Sequence, residues 1–214
     1  MQRPVRVLLD VNVLVGNIIA HDRSHKETAT QTLVSMVSHH RWGFADKAQL
    51  VISHEMIDTL ETVLDRLQFS PERIKAYSSA IIDMMRYGPD ALDPYLILGG
   101  EERFAISDIE DAGVLATAFG TRADILVTDN LKDFISKDAA ILDTQVVETM
   151  SPGKRTLQVL RYRIGQADLI IAHPFDVMAW MRLGYDFEPE ALWTTLVKSR
   201  ERPHSTLPSD QRPL

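Results

Sequence analysis

The stretch "VRVLLD", Val5 to Asp10, constrains the fold more than any other in this 214-residue chain. The apolar run Val5 to Leu9 predicts a hydrophobic strand. The run closes on an acid, and an acid there is costly to bury unless it is paired or bound to a cation. Asn12 follows two residues later. Similar apolar strands, each followed by a polar residue, recur in "AQLVIS" (48–53), "ADILVTD" (123–129) and "DLIIAH" (168–173).

Helical patterns separate these strands. In residues 26–40, Ala29, Leu33, Met36 and Val37 recur at helical spacing. Ser53 stands where an N-cap would open a helix reaching about Arg66, because its hydroxyl can accept an early backbone N–H. Residues 70–88 carry Ser70 as cap, Pro71 in the first turn and Gly88 as stop. Another helix is expected from Ser107 to Gly120. This alternation predicts an α/β fold with a mostly parallel sheet. After Asp138, "ILDTQVV" and "RTLQVLRYRI" flank the turn signal "SPGK" (151–154), which predicts a hairpin. Two helices, "PFDVMAWMRLG" and "EPEALWTTLVKS", follow the last strand. The expected organisation is a core over 1–138, its last strand and helices with an inserted hairpin over 139–200, and a flexible Pro-rich tail over 201–214.

The chain has no cysteine, which removes disulfides, thiolate metal sites and cysteine nucleophiles and is compatible with a reducing cytosol. The N-terminus predicts no signal peptide, and no run approaches the roughly 20 apolar residues of a membrane span. A cytoplasmic protein without membrane attachment is the expectation. A net charge of −7 argues against a general nucleic-acid binder. It leaves room for an enzyme that holds a metal in an acidic pocket, since net charge describes the whole surface.

The placement of the acids is informative. Asp10 follows the first strand, Asp108 and Asp111 open a helix, and Asp129 and Asn130 end another strand, with Asp133 one turn later. In a parallel sheet the carboxyl ends of strands and the N-termini of following helices share one rim, so these acids are expected to converge. Clustered carboxylates raise each other's pKa unless a cation neutralises them, and hard oxygen ligands favour Mg²⁺ or Mn²⁺. Each acid also has a purely structural reading. Asp108 and Asp111 suit a helix's first turn by capping and by the dipole, and "TDN" is a turn sequence.

Together these segments resemble the PIN-domain family, the fold of VapC-type toxins and related metal-dependent ribonucleases. "LLDVNVLV" is similar to the family's opening strand and acid motif, and "VISHEMIDTLETVLDR" to its strand–Ser–helix segment. "DIEDAGVLATAFGTRADILVTDNLKDF" is similar to its D-x-x-D helix and the strand ending in V-T. The resemblance covers roughly residues 4–136, with "DLIIAHPFDVMAWM" as a candidate last strand and helix. It implies a three-layer α/β/α fold and a site binding Mg²⁺ or Mn²⁺ through Asp10, Asp111 and Asp133, with Asp108 beside them. Asn12 would orient Asp10 or hold a metal-bound water. Asn130 is favoured over Asp129 at the last motif, and Ser53 and Thr128 are supporting hydroxyls. One position departs from the family: Thr59 stands where a second acid is usual, with Asp58, Glu61 and Glu55 as candidate substitutes.

The resemblance implies a ribonuclease that hydrolyses RNA phosphodiesters, with the toxin of a toxin–antitoxin pair as a narrower reading and an antitoxin protein as partner. A homodimer is a further expectation. Two alternatives stay open. One is a non-catalytic module binding RNA or protein through a degraded metal site; the other is an acid-rim phosphatase, which Asn12 disfavours because that chemistry needs a second Asp there. Lys154, Arg155, Arg161 and Arg163 flank the hairpin as either phosphate contacts or a solvated strand face. Phe175, Trp180, Tyr185, Phe187 and Trp193 are expected to pack the last helices. His21, His25, His39 and His40 are expected at the surface, without zinc spacing.

Overall fold

The computed structural model describes residues 3–43, 46–95, 104, 106, 108–148 and 154–201. The elements are, in order, β1 (Val5–Leu9), α1 (Val11–Asp22), α2 (Ala29–Ser38), β2 (Arg41–Trp42), β3 (Asp46–Leu50), α3 (His54–Arg66), α4 (Pro71–Arg86), α5 (Ile109–Gly120) and β4 (Ile125–Val127). A 3-10 turn, Leu131–Phe134, leads into β5 (Ala139–Glu148), β6 (Lys154–Ile164), β7 (Ala167–Ala172), α6 (Pro174–Arg182) and α7 (Pro189–Glu201).

The strands form one sheet in the order β2-β3-β1-β4-β7-β6-β5. The central β3, β1, β4 and β7 run parallel, while β2 and β6 run against them. Helices flank this mixed, mostly parallel sheet in a three-layer α/β/α arrangement. α1 packs on α2 and α3, α3 on α4 and α2 on α6, while α5 and α7 pack on β7. Val7, Leu8, Leu9, Ile125, Leu126, Val127, Ile170 and Ile171 are fully buried, as central parallel strands require.

Register fixes one rim of the sheet. Leu9 pairs with Val127 and Val127 with Ala172, so Asp10, Thr128 and His173 stand side by side just past three neighbouring strands. On the other side Val7 pairs with Leu50, and continuing that register brings Ser53 beside Asp10. Asp10, Ser53 and His173 each cap the helix that follows: α1, α3 and α6. Several helix N-termini, with their unsatisfied N–H groups and positive dipole ends, therefore meet at this rim.

Several expectations need adjustment. α1 was not anticipated: it begins without a loop after β1 and buries Val11, Val13, Leu14, Asn17, Ile18 and Ala20, so its sequence lacks a polar face to reveal the helical period. The expected strand 48–53 is paired over 46–50, and Ser53 instead bridges Tyr95. Gly88 does not stop α4 through a left-handed conformation. The Gln49 side chain lies so close that a Cβ on Gly88 would sit 2.4 Å from its Oε1. Ser107 and most of "SPGK" lie outside the described residues, as does the tail from 202 onward. The hairpin itself is present as β5 and β6.

Of the hairpin's basic residues, Arg163 is exposed, as a solvated strand face would have it, while Arg161 departs from both expectations. Arg161 is buried and pairs with Asp168 and Glu190, and Arg163 pairs with the same two acids. These pairs sit at the start of β7, the end of the sheet opposite Asp10. The side chains of Lys154 and Arg155 lie outside the described residues. Trp180 and Phe187 are buried as expected, Phe187 edge-on to Trp42, but Phe175 is 53% exposed beside His173. His21, His25 and His39 are exposed and His40 is half-buried.

Candidate active site

Asp10 is the centre of the rim. It leaves β1 with φ −60° and ψ 154° and caps α1, its Oδ1 accepting the Val11 N–H at 2.7 Å. Its Oδ2 accepts from the Asn12 amide at 2.6 Å and from the Thr128 hydroxyl at 2.6 Å. Only 6% of Asp10 is exposed. Burial raises its pKa, and the bonds from Thr128, Val11 and Asn12 partly offset that rise. Each carboxylate oxygen has two lone pairs, so Oδ1 keeps one acceptor position beyond these bonds.

Asn12 and Thr128 orient the acid. Asn12 also donates to Thr128 Oγ1 at 3.0 Å and accepts the Asp129 N–H at 3.1 Å, which ties the first turn of α1 to the loop after β4. Thr128 is fully buried and in turn accepts the Asn130 N–H at 3.0 Å. The Asn130 amide donates to Asp133, which closes the turn.

Asp111 reaches the same place from α5, whose N-cap is Asp108. Its pKa is pushed up to about 6, first by burial and then by the negative charges of Asp108, Asp10, Asp133 and Glu110. Acids from β1, α5 and the 3-10 turn therefore feel one another across about a hundred residues of sequence.

Of the three candidate substitutes for the missing second acid, one faces the cleft. Glu55 lines a cavity of ≈ 60 Å³ with Asp10, Thr59, Glu110, Asp111 and Gly113. A Cβ on Gly113 would sit 3.4 Å from Glu55 Oε2, so this carboxylate lies against the first turns of α5. Glu61 turns to α4, where it accepts the Ser78 hydroxyl at 2.5 Å, and Asp58 is exposed. Thr59 lines the same cleft.

His173 is a rim residue that the motif reading missed. It is 6% exposed, its Nδ1 accepts the Phe175 N–H at 3.2 Å, and its Nε2 lies 3.7 Å from Asp129 Oδ1. With Nδ1 accepting, the neutral ring carries its proton on Nε2, towards Asp129. The signal was available: in "DLIIAHPF" a polar residue ends an apolar strand directly before a proline at the first turn of a helix.

Comparison with known families fits this geometry. A family model described as PIN domain matches residues 6–132, which carry Asp10, Ser53, Asp111 and Thr128. The chain belongs to the PIN-domain family. The PIN domain is a nuclease-type fold whose members typically use divalent metals and bind RNA. Neither the comparison with curated proteins nor that with solved structures gives a match.

A divalent cation suits this donor set. The acid cleft of the PIN-domain rim presents the carboxylates of Asp10, Glu55, Glu110 and Asp111, raises Asp111 by burial and by neighbouring acids, and leaves ≈ 60 Å³ with room for an ion and a few waters. Among the described residues no three acids or histidines stand grouped as a metal cage. The fit is therefore to a largely hydrated ion touched by one or two carboxylates, the habit of Mg²⁺.

Proposed function

We propose that this PIN-domain protein is a metal-dependent ribonuclease that hydrolyses RNA phosphodiesters with Mg²⁺ or Mn²⁺. The observation that carries this reading is the cleft lined together by Asp10, Glu55, Glu110 and Asp111, in which burial and the neighbouring acids push the pKa of Asp111 up to about 6. Such crowding costs stability and is relieved by a bound cation. Of Asp10, Asp111 and Asp133, one or two would touch the metal and the others would act through its waters, with Asp108 nearby and Glu55 supplying the acid that Thr59 lacks. When bound, the metal supplies Lewis-acid polarisation of a phosphate oxygen and a lowered pKa for an attacking water. Asn12, Thr128 and Asn130 keep Asp10 and Asp133 aimed, while the helix N-termini around the rim favour a phosphate. Ser53 supports this arrangement by capping α3 at 3.3 Å.

Toxin activity, with a partner protein covering the rim, is a narrower form of the same reading. So are a homodimer and a place in the cytoplasm; among the described residues no helix is long and apolar enough to cross a membrane. A non-catalytic RNA- or protein-binding module is the second reading, favoured by Thr59 and by the absence of a preformed metal cage among the described residues. The test is cleavage of single-stranded RNA in Mg²⁺ and Mn²⁺ titrations. The nuclease reading expects metal-dependent cleavage that Asp10→Ala abolishes. Cleavage that survives Asp10→Ala, or none by the parent chain in either metal, overturns it.

A further inference from the structure

Next to the acid cleft lies a second cavity of ≈ 500 Å³, formed by the loop after β4 and the outer part of β6. Asp129, Asn130 and Lys132 line it on one side, and Thr156, Leu157 and Gln158 on the other. This side of the cavity exists because the hairpin overshoots the sheet. Val159 of β6 pairs with Ala172, the last residue of β7, so residues 154–158 continue past the rim. At ~3.3 Å per residue this overhang extends roughly 17 Å beyond β7.

The overhang is anchored. The register shifts between Asp143 and Gln145, and at that bulge the Thr144 hydroxyl donates to Asp176 on α6 at 2.5 Å, with Leu157 O 3.1 Å away. Gln158 donates to Asp143 at 2.9 Å. A bulge that re-aims a strand next to a site is a recurrent functional device.

Lys132 gives the cavity its chemistry. It is exposed, sits between Asn130 and Asp133, and makes no ion pair among the described residues. On a rim dominated by carboxylates it is a cation placed to receive negative charge. The single acid in the lining, Asp129, lies within 3.7 Å of His173 Nε2. Amide and hydroxyl groups from Asn130, Gln158 and Thr156 supply donors and acceptors that suit a base edge, and the volume falls in the range of small-ligand sites.

We propose that this cavity is a nucleotide subsite for single-stranded RNA. It would hold the residue flanking the scissile phosphate, with Lys132 on the backbone phosphate and the hairpin overhang as its outer wall. The proposal rests on the ribonuclease reading for the position of the scissile bond, but it is tested by binding alone.

The experiment measures binding of a short fluorescein-labelled single-stranded RNA to the full Asp10→Asn chain in Mg²⁺ by anisotropy. Lys132→Ala, Lys132→Arg and Lys75→Ala are added in turn, Lys75 being an exposed lysine on α4. The expected result is about a tenfold weaker Kd for Lys132→Ala and a salt slope smaller by about 0.7, the share of one phosphate contact on a single strand. Lys132→Arg restores both, and Lys75→Ala changes neither. Circular dichroism melts confirm that the variants fold. Unchanged binding in Lys132→Ala, an equal loss in Lys75→Ala, or no RNA binding by the unsubstituted Asp10→Asn chain overturns the subsite. Cleavage by the parent chain is scored separately. A chain that binds RNA through Lys132 without cleaving it keeps the subsite and loses the nuclease reading.

Discussion

The two ends of the parallel sheet treat buried acids in opposite ways. Asp10 at the carboxyl end and Asp124 at the amino end are equally buried, 6% exposed each, and burial raises the pKa of both. Asp124 is met by Arg3 at 2.5 Å and by the Arg6 N–H at 2.8 Å. Nearby, Asp90 pairs with Arg6 at 3.0 Å, and Asp168 and Glu190 share Arg161 and Arg163. Burial pushes Asp168 up, yet the bonds and charges of Arg161 and Arg163 bring it below the usual range. At the carboxyl end the partners of Asp10 are neutral, and the neighbours that shift Asp111 are acids. Burial alone therefore does not mark the acids proposed as functional. What separates the two rims is whether the protein has supplied its own counter-charge.

Crossed substitutions can break this comparison. Asp10→Ala should lower RNA cleavage by about 10³-fold or more, because several kcal/mol of transition-state stabilisation goes with the metal ligand. It should also cost about 1 kcal/mol of stability through the lost cap of α1, read in a urea melt. Arg161→Ala should do the reverse, costing about 3 kcal/mol by leaving Asp168 without its closest cation while cleavage per folded molecule stays unchanged. If both variants lose cleavage alike, the two rims are not functionally distinct.

A smaller effect sharpens the assignment of the second acid. Glu55→Gln should reduce cleavage by about tenfold and weaken Mn²⁺ binding measured by titration. Glu61→Gln should change thermal stability through its bond to Ser78 and leave cleavage alone. If cleavage follows Glu61, the position of Glu55 in the cleft is incidental.

The smallest effect is a pH dependence. The folded pKa of Asp111, about 6, lies above its ordinary value of 3.8. The folded state thus holds a proton that the unfolded chain has released, and in the metal-free protein this group's contribution to stability falls as pH rises from about 4 to about 6. Asp111→Asn should remove that fall, so the melting temperatures of parent and variant in EDTA should separate across this window and differ most above it. Parallel curves from pH 4 to 7 would show that the acid neighbours do not crowd Asp111. Lys132→Ala adds a charge test beside the same rim, read in RNA binding.

The sequence was legible where local chemistry decides. Ser53, Ser70 and Asp108 cap helices with short-range hydrogen bonds, and the N-caps at Ser53 and Ser70 were expected from the residues alone. The apolar runs of β1, β4 and β7, alternating with helices, announced a mostly parallel sheet, and "SPGK" announced the hairpin. α1 was hidden because a helix buried around most of its circumference shows no period. His173 was hidden because a lone histidine carries no motif until β4 and β7 align.

The sequence by itself determined the sheet's parallel core and the acids at strand and helix ends, because apolar runs and capping residues act over a few positions. Only the tertiary structure decided that Glu55 rather than Asp58 or Glu61 enters the cleft, since all three lie on one helix and the neighbouring surface alone tells them apart. Only register decided that Asp10, Thr128 and His173 share a rim. Only packing decided that Arg161 and Arg163 neutralise the opposite end instead of meeting a phosphate. Counter-charge is a long-range property of the folded chain, and it separates the acids paired with arginine from the acids that crowd Asp111.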